Sequence, residues 1–216
     1  MKHPLAAFVP YAVISVLHLV FILTGNQTLT DIAATARMPL LALAVVIVLK
    51  GASRSLAGVL LLIAIVMSWF GGLSGSFAPA GLSLPLMLLF FGLAHLAYIW
   101  LYGKALAARR IPAWALVYVV WLVAILVVLW PHLGRLAIAV AIYGVVLAGT
   151  AIASTRVNGL VAWGGAFFLA SDTFLSLVIF TPDAVAGWGF FLAMLTYNGG
   201  QGLLALGAVL AMRARR

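Results

Sequence analysis

Leu56-Ala57-Gly58-Val59-Leu60-Leu61-Leu62-Ile63-Ala64-Ile65-Val66-Met67-Ser68-Trp69-Phe70-Gly71-Gly72 holds no charged residue and is apolar all round any helix drawn through it. At about 1.5 Å per residue, a helix of about 20 such residues crosses the roughly 30 Å hydrocarbon core of a bilayer. A membrane strand would need alternation over about 10 residues, which this run lacks. Outward from the quoted run, taken as 56 to 73, seven more apolar runs lie between polar breaks. They fall near 5 to 24, 33 to 49, 82 to 102, 113 to 130, 136 to 154, 159 to 180 and 184 to 211. Composition agrees: 67% of the 216 residues are hydrophobic and 7% charged, where soluble domains carry about 25% charge. Disorder is excluded as well, since disordered chains are charge-rich and apolar-poor. The expectation is an all-α, polytopic membrane bundle of about eight transmembrane helices, one domain over residues 1–216.

The net charge of +9 reflects 12 Lys and Arg against three acids, all Asp. With the N-terminus inside, Lys2, Lys50, Arg54, Lys104, Arg109, Arg110, Arg156, Arg213, Arg215 and Arg216 fall on the inner side, and only Arg37 and Arg135 on the outer. That asymmetry places both termini in the cytoplasm, and makes anionic membrane lipids the expected partners of the inner loops. Because the basic residues flank spans instead of forming one dense patch, no nucleic-acid partner is expected. The first span is read as an anchor: its apolar run is too long for a signal peptide, and Ala34-Thr35-Ala36 lies too far beyond it to be a cleavage site. Location in the bacterial cytoplasmic membrane is expected; the oligomeric state stays open. The chain has no Cys, hence no thiolate chemistry. Its four His (His3, His18, His95, His132) are too dispersed for a local metal motif, and no cofactor is expected.

Ionisable groups inside spans cost about 2.5–3.5 kcal/mol each on insertion scales, so each calls for a reason. Asp172, in Ala170-Ser171-Asp172-Thr173, shares a helical face with Gly165, Phe168 and Ser176, and that face must point into the bundle. A carboxyl group kept from water there can act as a general acid or base, or serve as a structural partner of Arg37, which lies in the same outer half. Asp31 and Asp183 are placed in outer loops. His95 lies in a stripe with Phe91, Tyr98 and Tyr102 and is either packing glue or part of a site. His18 lines up with Tyr11 and Ser15 near the outer interface, where a polar tip is cheap. Tyr197 and Gln201, one turn apart in Thr196-Tyr197-Asn198-Gly199-Gly200-Gln201, make a polar patch in mid-membrane. Gly71 and Gly75 form a G-x-x-x-G pair that permits close helix approach. Phe70-Gly71-Gly72 and Ala170-Ser171-Asp172 occupy equivalent places in two helices running the same way, which suits a parallel repeat of four spans and four.

Several segments together resemble the lysoplasmalogenase-like membrane family, also called the YhhN-like family. They are Arg37-Met38-Pro39-Leu40-Leu41, Ser68-Trp69-Phe70-Gly71-Gly72, Gly92-Leu93-Ala94-His95-Leu96-Ala97-Tyr98-Ile99, Ser171-Asp172-Thr173 and Thr196-Tyr197-Asn198-Gly199-Gly200-Gln201, in that order from residue 35 to 202. The resemblance implies eight spans and a hydrolase that cleaves the vinyl ether bond of lysoplasmalogens into a fatty aldehyde and a glycerophospho-headgroup compound. It implies Asp172 and His95 as catalytic residues, and Arg37, Ser171, Tyr197 and Gln201 as contacts to a lysophospholipid or other amphiphile. The family pattern carries a second acid in a Gly-Asp pair on span three, where this chain has Gly71-Gly72; the basic residue of span two, usually Lys, is Arg37. Three functions therefore stay open: a lipid hydrolase, a non-catalytic lipid- or amphiphile-binding relative favoured by Gly72, and ion- or proton-coupled transport.

Overall fold

Asn26, Ser55 and Asn158 each start a helix by accepting, on a side-chain oxygen, the backbone N–H three residues on: Leu29 at 3.1 Å, Gly58 at 3.2 Å and Val161 at 3.0 Å. Each satisfies a backbone donor that a helix start otherwise leaves unpaired. The structure, a computed structural model, describes residues 4–215, so Lys2, His3 and Arg216 lie outside the described residues. Eight long helices follow one another: α1 Val9–Leu23, α2 Gln27–Leu49, α3 Leu56–Phe77, α4 Ala80–Trp100, α5 Val117–Leu129, α6 Ala137–Ser154, α7 Gly159–Phe180 and α8 Gly189–Ala214. No strand occurs among the described residues. With the short helical turns that extend some of them, seven of the eight are long and apolar enough to cross a membrane. The eighth, α8, is the longest at 26 residues. Its hydropathy is diluted by Tyr197, Asn198 and Gln201, all of which are buried inside the bundle and face no lipid.

Two helix pairs pack closely, and glycine is the reason. A Cβ on Gly164 would stand 2.7 Å from the Leu204 backbone nitrogen, and one on Gly200 2.9 Å from that of Phe168. The backbones of α7 and α8 therefore meet without side chains between them, as small-residue membrane interfaces allow. Along α3 the G-x-x-x-G pair does the same against α4: a Cβ at Gly71 would strike the Phe91 ring at 2.7 Å, and one at Gly75 would sit 3.2 Å from the Met87 sulfur. The core runs through Leu41 and Val45 of α2, Leu61 and Ile65 of α3, Tyr98 of α4, Phe168 of α7 and Leu204 of α8, all essentially inaccessible. By contrast α5 lies at the periphery, with Val120, Val123 and Val127 exposed. In lipid, such a face costs nothing to leave uncovered.

Two expected boundaries move. Span two begins at Gln27, well before the expected 33, so Asp31 lies on a helix and not in an outer loop. The polar stretch stays helical because its side chains find their partners within the helix itself. Thr30 Oγ1 donates to the Asn26 carbonyl and Thr35 Oγ1 to that of Asp31, both at 2.9 Å, while Gln27 Nε2 donates to Asp31 Oδ1 at 2.9 Å. Span eight begins at Gly189, after a 3-10 turn over Pro182–Val185 that keeps Asp183 in an exposed loop as expected.

The basic residues gather where α2 meets α3, α4 meets α5 and α6 meets α7. There Arg109 Nε donates to the Thr155 carbonyl at 2.6 Å, and Arg215 donates to those of Ala105 and Leu106 at 2.7 Å each. Guanidinium groups thus cap carbonyls left over at helix C-termini, where positive charge is favoured.

Candidate functional site

At the opposite end, between the α1–α2, α3–α4 and α7–α8 turns, lies a cavity of about 520 Å³. That volume is typical of a small-molecule pocket. One part of its wall is polar and inner: His18 of α1, Arg37 of α2, Ser171 and Asp172 of α7 and Tyr197 of α8. Another part is apolar, with Leu84, Met87, Leu175, Val178, Ile179 and Phe190. The cavity therefore has one polar wall and one apolar wall.

Arg37 is 5% exposed. Its Nη1 donates to Asn198 Oδ1 and its guanidinium lies 5.4 Å from the centre of the Tyr197 ring. Asn198 is itself held, its backbone carbonyl accepting from Tyr11 Oη at 2.7 Å and its Nδ2 donating to the Ser15 carbonyl at 3.3 Å. No carboxylate pairs with Arg37 among the described residues, and its Nε has no partner. His18 Nδ1 and Ser171 Oγ, each on a residue 1% exposed, are likewise unpartnered. A buried cation and two buried polar atoms without protein partners thus belong to residues that line one cavity.

Asp172 sits where polar and apolar walls meet, with 10% of its side chain accessible. It also borders a second, smaller cavity of about 60 Å³ against Tyr143. Tyr143 Oη donates to Asp172 Oδ2, and His95 Nε2 lies 3.3 Å from that hydroxyl and 3.7 Å from the same carboxylate oxygen. Thr150 turns its hydroxyl hydrogen toward the carbonyls of Val146 and His95, at 3.1 and 3.2 Å, so its oxygen is left to accept from His95 Nδ1 at 3.1 Å. The Tyr143 hydroxyl, with one hydrogen to give, thus lies between the Asp172 carboxylate and His95 Nε2. Edge-on contact with Phe168, ring centres 4.8 Å apart, holds the imidazole in this orientation. Asp172 at the cavity wall thus has a buried imidazole behind it, reached through one hydroxyl.

Of the residues picked out in the sequence, Asp172, Arg37, Ser171 and Tyr197 line the large cavity. His95 lies one layer behind, fully buried and next to Asp172. Gln201 is also away from the cavity, its Oε1 accepting from Tyr98 Oη at 2.7 Å to tie α8 to α4. The alternative in which Asp172 pairs with Arg37 is not what the geometry holds: the carboxylate's partners are Tyr143 and His95. Three residues join the site that the sequence did not single out for it. Tyr143 stands in the middle of an apolar run with nothing in its spacing to mark it. His18 is a cavity wall and not an interfacial tip. Asp31 lines the same cavity from α2. Its helical i, i+4 relation to Gln27 and Thr35 was the available signal.

Gly72, at the position of the resembled family's missing acid, also lines the cavity, and a Cβ there would meet nothing within 4 Å. Position 72 on α3 and Asp172 on α7 thus face the same space. Neither a curated protein nor a solved structure matches the chain. The sequence profile of the YhhN family does match, over residues 29–208. That stretch takes in the cavity walls on α2, α3, α4, α7 and most of α8, and the chain therefore belongs to the YhhN family.

Proposed function

We propose that the protein is a lysoplasmalogenase-like hydrolase acting on the vinyl ether bond of lysoplasmalogen-type lysophospholipids in the bacterial cytoplasmic membrane, with both termini in the cytoplasm. The observation that carries the reading is Asp172, backed by Tyr143 and His95, at the seam between a wall bearing Arg37 and an apolar wall. In a lysophospholipid the phosphate and the alkenyl chain sit on either side of the ether oxygen. With the phosphate on Arg37, Ser171 and His18 and the chain along Leu84, Met87 and Leu175, the vinyl ether reaches Asp172. Protonation of the outer alkene carbon converts the C=C–O unit into an oxocarbenium ion, and water adding to it forms a hemiacetal that splits into alcohol and aldehyde. Asp172 is the proton donor, and His95, through Tyr143, is the positioning residue that holds the proton ready.

A second reading, a relative that binds or moves an amphiphile without turnover, is favoured by Gly72 standing where the family keeps an acid. Product analysis separates the two. Purified protein given alkenyl, alkyl and acyl lysophospholipids side by side is expected to release aldehyde from the alkenyl lipid alone, and Asp172→Asn to lower that rate by about 10² or more. Tight binding of all three lipids with no aldehyde would establish the binding protein instead.

A further inference from the structure

We infer that Asp31 is a second catalytic carboxylate, doing from α2 the work that Gly72 cannot do from α3; the inference rests on the hydrolase reading above. The register of the two helices places it. Trp69 Nε1 on α3 donates to the Thr35 carbonyl on α2 at 2.9 Å, so residues 35 and 69 are level. The helices are consecutive, joined by the short turn Lys50–Arg54, and run antiparallel. One turn toward the cavity end leads from 35 to 31 on α2 and from 69 to 73 on α3. Asp31 thus lies within about one residue's rise, about 1.5 Å, of the level of Gly72, on the neighbouring helix, and both line the cavity that contains Asp172.

The carboxylate is also presented. Gln27 Nε2 holds Oδ1 at 2.9 Å, while Oδ2 has no hydrogen-bond partner among the described residues. Asp31 is half-buried, one turn from Gln27 and Thr28, which are exposed at the start of α2. Asp172 lies deeper, beside its buried base. That is the division the reaction needs, with the proton donor kept from water and the water-activating group in contact with it.

The steps balance. Asp172 gives its proton to the outer alkene carbon, a C–H bond forms, the π bond breaks, and the positive charge settles on the ether carbon and oxygen. A water attacks that carbon while its proton goes to Asp31, leaving a hemiacetal. Asp31 returns the proton to the glyceryl oxygen as the C–O bond breaks, and the hemiacetal hydroxyl proton returns to Asp172. One water is consumed, one alcohol and one aldehyde leave, and both carboxyls end as they began.

Steady-state kinetics on an alkenyl lysophospholipid, with aldehyde as the readout, tests the assignment in the full-length protein. Asp31→Asn is expected to lower kcat by about 10²-fold with KM within about threefold, while Gly72→Asp in that background restores at least about tenfold of the loss. The open space at Gly72 lets the new side chain in without displacing a neighbour. A kcat within threefold of wild type in Asp31→Asn, a loss confined to KM, or no recovery on adding Gly72→Asp overturns the assignment, and in each case the hydrolase reading stands so long as Asp172→Asn is inactive. Wild-type protein that releases no aldehyde overturns the hydrolase reading and this assignment with it.

Discussion

A buried guanidinium within a span, with no carboxylate beside it among the described residues, is costly. Arg37 offsets its burial with a charge-assisted hydrogen bond to Asn198 and the face of Tyr197, both of which favour a cation. What remains unmet is its charge, which the phosphate of the proposed substrate would meet. Asp172 is placed differently. Its neighbours are a hydroxyl and an imidazole and no cationic side chain. The Tyr143 hydroxyl is the joint between the two, which leads to a specific expectation for kinetics. Tyr143→Phe should reduce kcat by about tenfold to a hundredfold with little change in KM, since the hydroxyl lies behind the carboxylate and outside the large cavity. A fall in affinity with kcat unchanged would place Tyr143 in lipid binding instead. Asp172 and Arg37 were legible in the sequence because a charge inside an apolar run stands out. Tyr143 and His18 were not, because an aromatic or imidazole ring in a span has many cheap uses and only its neighbours tell which.

At the scale of the element, α2 shows how a helix survives residues that ought to break it. Pro39 has no N–H, so the carbonyl four residues back, Thr35, loses its helical donor. The Trp69 indole supplies one from α3 at 2.9 Å, as a membrane interior requires of any freed backbone group. The proline therefore creates the docking point that sets the α2–α3 register. Trp69→Phe should lower stability by about 1–2 kcal/mol in detergent unfolding. Pro39→Ala added to it should recover most of that, because the alanine N–H takes back the Thr35 carbonyl; two losses that simply add would refute the pairing. The start of α2 was hidden for a related reason. Gln27, Thr28, Thr30 and Asp31 look like a loop by hydropathy, yet the Asn26 cap and the Gln27–Asp31 pair supply locally what lipid burial supplies elsewhere.

Over the whole molecule, polarity is separated end from end: the cavity lies at one and the arginines capping carbonyls at the other. If the basic end faces the cytoplasm, the cavity opens toward the outer leaflet. The absence of cysteine makes this directly measurable. Thr24→Cys and Asp183→Cys should react with an impermeant thiol reagent in intact cells, while Arg54→Cys and Ala108→Cys, also exposed, should react only after permeabilisation. Labelling in the reverse pattern would invert the topology. The sequence alone determined the all-helical membrane class and the number of helices, because in lipid a backbone must satisfy itself and a long apolar run has no other solution. It also singled out Asp172 and Arg37, since charge in such a run cannot be incidental. Only the tertiary structure decided which polar groups meet. It joined Tyr143 and His95 to Asp172, separated Gln201 from the cavity, and moved Asp31 from a loop to the wall opposite. Those outcomes depend on helix register and rotation, which are set by glycine contacts and a single indole bond between helices, and neither is visible in any one helix read by itself.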